Sequence, residues 1–347
     1  MRSCRQREKI AVSRLWQSLG GKEDTAMRMK KGVKIVIEDW LKIKKGEKLL
    51  IITDSSHLKE SALMKEKAEE FGAFVAIIVI PKATLKIGSL LDNMMDFLLS
   101  NDVIVGATNY SLITTAAIRE VVKHGIRYLS LPLSSNYGRS ILSFSFLSMD
   151  PKEAEAMAMR ALPYINAVDE LRVTTPRGTN LIIGKKGRQA GYFNGMSTDP
   201  GDIASSSFEI YIGIEETKTR GIAVLDGSLG YIGVPVEPTE LLFENGRLVK
   251  VEQTETGILL EDYLKGFDDA GMYVAGEFGI GLNTKSRCIG HSYIEDESAY
   301  GTFHLGMGRN LSLGGVHEAK GHFDLVFMEP TIYAGDVAVM KNGEMVV

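Results

Sequence analysis

The sequence predicts an α/β protein, with a doubly wound, parallel-sheet N-terminal domain followed by a β-rich α+β C-terminal domain that binds metal. Three observations predict it. Between residues 49 and 132, continuous apolar runs alternate with helix-like segments; beyond residue 170, short runs are broken by Gly, Asp, Pro and Thr turns. Four of the chain's six histidines (His291, His304, His317 and His322) crowd into 276–329 beside Glu277, Glu295, Asp296, Glu297, Glu318 and Asp324.

A chain of 347 residues with 44% hydrophobic content is expected to make two domains, at about 100–200 residues each. The expected divisions are a leader over 1–29, a doubly wound domain over 30–168 and a metal-binding domain over 169–347. The leader is basic at first but lacks an apolar core with a small-residue cleavage site, so it does not read as a signal peptide. A net charge of −4 supplies no basic field, which argues against nucleic acid or anionic lipid as partner. No run of about 18 apolar residues occurs, so no membrane span is expected. The two cysteines, Cys4 and Cys288, imply no disulfide framework, and a reducing, cytoplasmic compartment is expected.

Taken in order, Val33, Ile35, Val36, Ile37, Trp40 and Leu41 share one face at helical spacing. The runs LLIIT (49–53), FVAIIVI (74–80), VIVGAT (103–108) and IRYLSLP (126–132) then read as strands buried on both faces, the mark of a helix-covered parallel sheet. The intervening segments read as helices closed by glycine. Ligands of such sheets sit beyond the strands' carboxyl ends, which points to Thr53, Asp54, Ser55 and Ser56 and to Thr108, Asn109, Tyr110 and Ser111 as one wall of a cleft. No G-x-G-x-x-G follows the first strand, so a dinucleotide is not expected. Asp150-Pro151 opens a connecting helix running to about Val168. Short strands follow at Glu170–Val173, Asn180–Ile183, Phe208–Ile214 and Gly221–Leu225; in the third, Glu209 and Tyr211 lie on one face and Phe208, Ile210, Ile212 and Ile214 on the other.

Imidazole and carboxylate are the side chains that hold divalent first-row metals, so the crowding in 276–329 points to a metal site. His322 and Asp324 in GHFDLVFME are two apart on a strand, so they point the same way, roughly 6.5–7 Å apart along the backbone. His304 sits among the glycines of GTFHLGMG. The run Glu295-Asp296-Glu297 needs a cation or hydrogen bonds if it nears the interior.

With these segments in view, the chain from about 33 to 347 resembles the M29 metallo-aminopeptidases, the aminopeptidase T type. The resemblance is carried by LKIKKGEKLLIITD, SFEIYIGIEE, GEFGIGLN, IEDESAYGTFHLGMG and GHFDLVF. It implies metal ligands at Glu209, Glu277, His304, His322 and Asp324, and a general base at Glu297, with Glu295 and Asp296 competing for that role. It further implies two divalent ions (Zn, Co or Mn), a small-molecule or short-peptide substrate and a cytoplasmic homodimer. The activity implied is amide hydrolysis: ions roughly 3.5–4 Å apart depress the pKa of a shared water. Two departures stand out. The loop between His304 and His322 is short, and Leu311 falls where those peptidases carry a tyrosine. A related branch of the superfamily resembles the 2,5-dihydroxypyridine dioxygenases, which implies a single Fe(II) on His304, His322 and Asp324. His291 and His317 are expected near the site or at the surface rather than as ligands.

Overall fold

In the computed structural model, which describes residues 22–82, 88–136 and 138–347, the alternating apolar runs form a parallel sheet and the later chain forms two antiparallel sheets. Helix α1 (Lys22–Lys34) continues into a π-helical turn, Ile35–Trp40, that buries Val36, Ile37 and Trp40. Helical structure therefore starts before Val33, inside the expected leader; residues 1–21 of that leader lie outside the described residues.

Strand β1 (Lys48–Asp54), helix α2 (Leu58–Glu70) and strand β2 (Phe74–Ile80) come next, then β3 (Val103–Ala107), helix α3 (Ala116–Lys123) and β4 (Arg127–Ser130). Glycines in the left-handed region, Gly72 and Gly125, follow α2 and α3, as expected of helix stops. Strands β1 and β3 are buried on both faces, but β2 lies at the sheet edge and leaves Phe74 70% exposed, because an outermost strand has one neighbour and partial cover.

Asp150 caps helix α4 (Pro151–Asn166), its Oδ1 accepting from the Lys152 N–H at 2.9 Å. Four strands follow: β5 (Glu170–Thr174), β6 (Asn180–Gly184), β7 (Gly191–Asn194) and β8 (Ile203–Ser205). The last joins β4 in parallel, Tyr128 opposite Ile203, so the parallel sheet β2-β1-β3-β4-β8 takes its fifth strand from beyond residue 168.

The remaining chain forms β9 (Phe208–Gly213), β10 (Arg220–Leu225), β11 (Thr239–Glu244), β12 (Arg247–Val251), helix α5 (Glu255–Lys265), β13 (Ala275–Gly281), the short helix α6 (Tyr293–Ser298), β14 (Thr302–Gly308), β15 (His322–Met328), β16 (Thr331–Ala334), β17 (Val337–Lys341) and β18 (Glu344–Met345). An eight-stranded sheet runs β12-β11-β10-β6-β5-β16-β17-β18, and a five-stranded one runs β15-β14-β13-β9-β7. Among the described residues, no helix is long and apolar enough to cross a membrane.

Candidate metal centre

The five-stranded antiparallel sheet has two chemically distinct faces because its strands alternate. One face carries Phe208, Ile210, Ile212, Phe278, Ile280, Phe303, Leu305, Phe323, Leu325 and Phe327, all fully buried, with the rings of Phe303 and Phe327 stacked at 4.7 Å. The other face carries Glu209 and Tyr211 of β9, Glu277 and Gly279 of β13, His304 and Gly306 of β14, and His322 and Asp324 of β15. Cross-strand register sets Gly279 opposite His304 and Gly306 opposite both Glu277 and Asp324. A long apolar face anchors the strands while the polar face gathers ligands from four of them.

Glycine makes that gathering possible at two positions. A Cβ on Gly279 would stand 1.9 Å from His304 Nε2, and one on Gly306 would stand 2.6 Å from His322 Cε1 and 2.7 Å from Glu277 Cβ. Each imidazole therefore lies across a strand in space that any side chain would fill. His304 Nε2 reaches Glu209 Oε2 at 2.8 Å; His322 Nε2 lies 3.0 Å from Glu277 Oε2 and 3.4 Å from Asp324 Oδ1.

Two donor groups result, Glu209–Glu277–His304 and Glu277–His322–Asp324, each with its ligand atoms within 4.8 Å of one another. All five residues expected as ligands are thus brought to one place, with Glu277 common to both groups. His304, His322 and Asp324, expected to share one iron, do not form a single group among the described residues, because the two rings turn over different glycines.

The donors suit a divalent cation. Glu209 Oε2 and Asp324 Oδ1 face imidazole nitrogens without an aligned hydrogen bond, and His304 Nδ1 has no partner. Ser207 Oγ donates to Glu209 Oε1 at 2.5 Å, and His322 Nδ1–H donates to the Arg309 carbonyl at 2.8 Å, which leaves the two inward-facing atoms available. With three carboxylates and two imidazoles buried together, the protein needs positive charge there. Burial pulls His304 down, but Glu209 beside it prevails and raises it to about 9. His322 is likewise raised, Asp324 and Glu277 outweighing its burial. Burial pushes Asp324 up, yet His322 holds it at about 2. Protons on the histidines thus take the place of a cation.

The acidic run lies on α6, wholly buried. Its three members point to different places. Asp296 accepts from Ser228 Oγ at 2.7 Å and from the Ile289 and Gly290 N–H groups at 2.9 Å each. Glu295 sits 3.9 Å from His291, and burial followed by the charge of Asp296 raises its carboxyl to about 7. Glu297 is the one of the three that lines the cleft over the metal ligands. Burial, then Asp324 and Glu209, raises it well above the carboxylate range, which favours its neutral form beside Asp324.

Part of that cleft's wall comes from the segment after β3 and from Ser205 of β8 in the parallel sheet. Tyr110 and Ser111, expected at the end of β3, do line it. Thr108 and Asn109 do not line it, nor do Thr53, Asp54, Ser55 and Ser56: Asp54 instead accepts from the Ser56 and Asn109 N–H groups. His317 contacts the Gly271 carbonyl at 2.9 Å, away from the ligands. Phe193, Tyr231, Tyr293 and Arg309 also stand in the wall, unmarked by any motif in the sequence. Tyr231 packs on Tyr110 at 4.8 Å and on Tyr293 at 4.1 Å, giving an aromatic surface assembled from three distant segments with no local pattern to announce it.

The family model described as NicX, 2,5-dihydroxypyridine 5,6-dioxygenase, matches residues 39–347. The chain belongs to this family. The 2,5-dihydroxypyridine 5,6-dioxygenase of Pseudomonas putida KT2440 is 26% identical over 167 residues, which span 44% of this chain and 47%, about half, of that relative. The solved structure of the 2,5-dihydroxypyridine dioxygenase from the same organism superposes with a TM-score of 0.77 at 18% identity, over 92% of this chain and 96% of that one. The wild-type AmpT of Thermus thermophilus superposes with a TM-score of 0.64 at 16% identity, over 93% of this chain and 100% of that one. The family match thus favours the dioxygenase resemblance read in the sequence motifs, while the likeness to AmpT shows a shared fold.

Proposed function

We propose that the protein is a metal-dependent, oxygen-using enzyme that opens the ring of a small hydroxylated aromatic compound of the dihydroxypyridine kind. The observation that carries this reading is a buried carboxylate–imidazole cluster at the floor of a cleft walled by Tyr110, Phe193, Tyr231 and Tyr293. Family membership over 39–347 supports the same chemistry. Glu277, His322 and Asp324 would hold the ion, with His304 and Glu209 beside them. A ferrous ion held there would supply the redox chemistry that dioxygen requires. The aromatic wall, its rings inclined to one another, would hold a planar ring by stacking and edge contacts. Glu297, which lines the cleft beside Asp324, would take a hydroxyl proton from the ring once a cation offsets the charges of Asp324 and Glu277.

A second reading, amide hydrolysis with two ions, is favoured by one specific feature: two donor groups share Glu277, and a carboxylate can bridge. One experiment separates them. The protein is loaded anaerobically with Fe(II), or separately with Zn, Co or Mn, and assayed for oxygen uptake with 2,5-dihydroxypyridine and for release of an aminoacyl anilide. Oxygen consumption stoichiometric with ring loss in the iron form alone supports the proposal. Hydrolysis by the Zn, Co or Mn forms without oxygen would replace it with the second reading.

A further inference from the structure

Two arginines are nearly sealed from solvent among the described residues, and they are answered very differently. Arg127 has its charge met by Glu47 at 2.7 Å and donates to the carbonyls of Leu41 and Ser197. Among the described residues Arg309, 8% exposed, donates only to one neutral hydroxyl, Thr114 Oγ1, from Nε at 3.2 Å and Nη2 at 3.0 Å. It forms no ion pair among the described residues; Glu318 acts on it only from beyond contact distance. A guanidinium carries five N–H donors in a fixed fork, so most of its capacity is unused. Burying such a charge without a partner is costly unless a partner arrives.

Arg309 lines the same cleft as the candidate metal ligands, beside Ser111 and Thr114. Its carbonyl receives the His322 Nδ1–H, so one residue both steadies a ligand imidazole and presents a cation to the cavity. Every other charged group lining the cleft is a carboxylate or a ligand histidine. We propose that Arg309, oriented by Thr114, anchors an anionic oxygen group on the aromatic substrate, a carboxylate or a ring oxyanion. This rests on the cleft being the active site and adds the charge of the substrate to that reading. A paired, fork-shaped contact explains why arginine stands here, since a carboxylate accepts two parallel N–H bonds on its two oxygens and a ring oxyanion accepts two converging ones on its single oxygen. It also gives the ring one orientation, with its anionic group at Arg309.

The test uses the zinc-loaded protein and calorimetric titration with paired probes: benzoate against benzamide, and 4-nitrophenolate against nitrobenzene. The wild type is expected to prefer at least one anion over its neutral partner by about tenfold or more. Preference for benzoate alone assigns a carboxylate; preference for the phenolate assigns a ring oxyanion. Arg309→Gln is expected to abolish that preference with little change for the neutral probe, and Arg309→Lys to keep part of it. Thr114→Val, which leaves the charge in place, is expected to weaken the anion severalfold and serves if Arg309→Gln fails to fold. Equal affinity for both members of each pair, or a preference that survives Arg309→Gln because the metal reads the charge, would overturn the proposal. An Arg309-dependent preference in a protein that consumes no oxygen would leave this inference standing and remove the proposed reaction.

Discussion

Replacing Gly279 with alanine isolates the feature on which the metal centre depends. The added methyl would lie 1.9 Å from His304 Nε2 and 2.1 Å from Cε1, so the ring must retreat by roughly 1.5 Å to reach ordinary contact. That retreat breaks the 2.8 Å approach to Glu209 and moves Nε2 away from Glu277. The backbone at 279 has no positive φ, so alanine brings no strain of its own. The ring yields into the cleft rather than into the apolar face, and the metal-free protein should unfold within a few degrees of wild type. Displacing a ligand by about 1 Å or more typically costs some 10–100-fold in metal affinity or activity. Competition with a chromogenic chelator measures the affinity. In a His304→Ala background the same substitution should have little further effect, because the clash it introduces is with that ring. Wild-type affinity and turnover in Gly279→Ala would refute the placement of His304 over the strand.

Glu297→Gln should keep metal while losing turnover, checked by metal content and oxygen uptake in parallel. Because burial, then Asp324 and Glu209, holds Glu297 above its ordinary 4.5, the folded metal-free protein binds a proton that the unfolded chain releases. Its contribution to stability is therefore present below about 4.5 and fades as pH rises, and glutamine should flatten that fall in thermal melts across pH. With His304 at about 9 and His322 raised as well in the metal-free state, a cation that draws on both must displace two protons at neutral pH. Apparent metal affinity should then rise with pH by more than about tenfold per unit while both rings are protonated, and the protons released should appear in titrations run in buffers of different ionisation enthalpy.

Much of this site is legible in the sequence because strands enforce a period of two. Glu209 and Tyr211 alternate with Phe208, Ile210 and Ile212, and His322 and Asp324 flank Phe323, so the polar face can be read directly. The pairing of those faces cannot. That His304 meets Glu209 across β13, while His322 meets Glu277 across β14, depends on register between strands remote in the chain and on the empty side of Gly279 and Gly306. The acidic run needs hydrogen bonds as expected, but only three-dimensional placement separates Asp296, held by backbone amides, from Glu297 in the cleft. Strand β8 is three residues long, and its partner β4 is about seventy residues earlier, so nothing local marks it as part of the parallel sheet. Arg309 is silent in the sequence for a similar reason: a single arginine after a glycine carries no pattern, and its meaning comes from its contact with Thr114.

The most direct measurement is an anomalous diffraction map of crystals soaked with manganese or iron. Density for an ion in contact with Glu277, His322 and Asp324, within reach of His304 and Glu209, is the expected result. An ion bound elsewhere, with those five side chains still paired only to one another, would contradict the claim that this sheet face is a cation site.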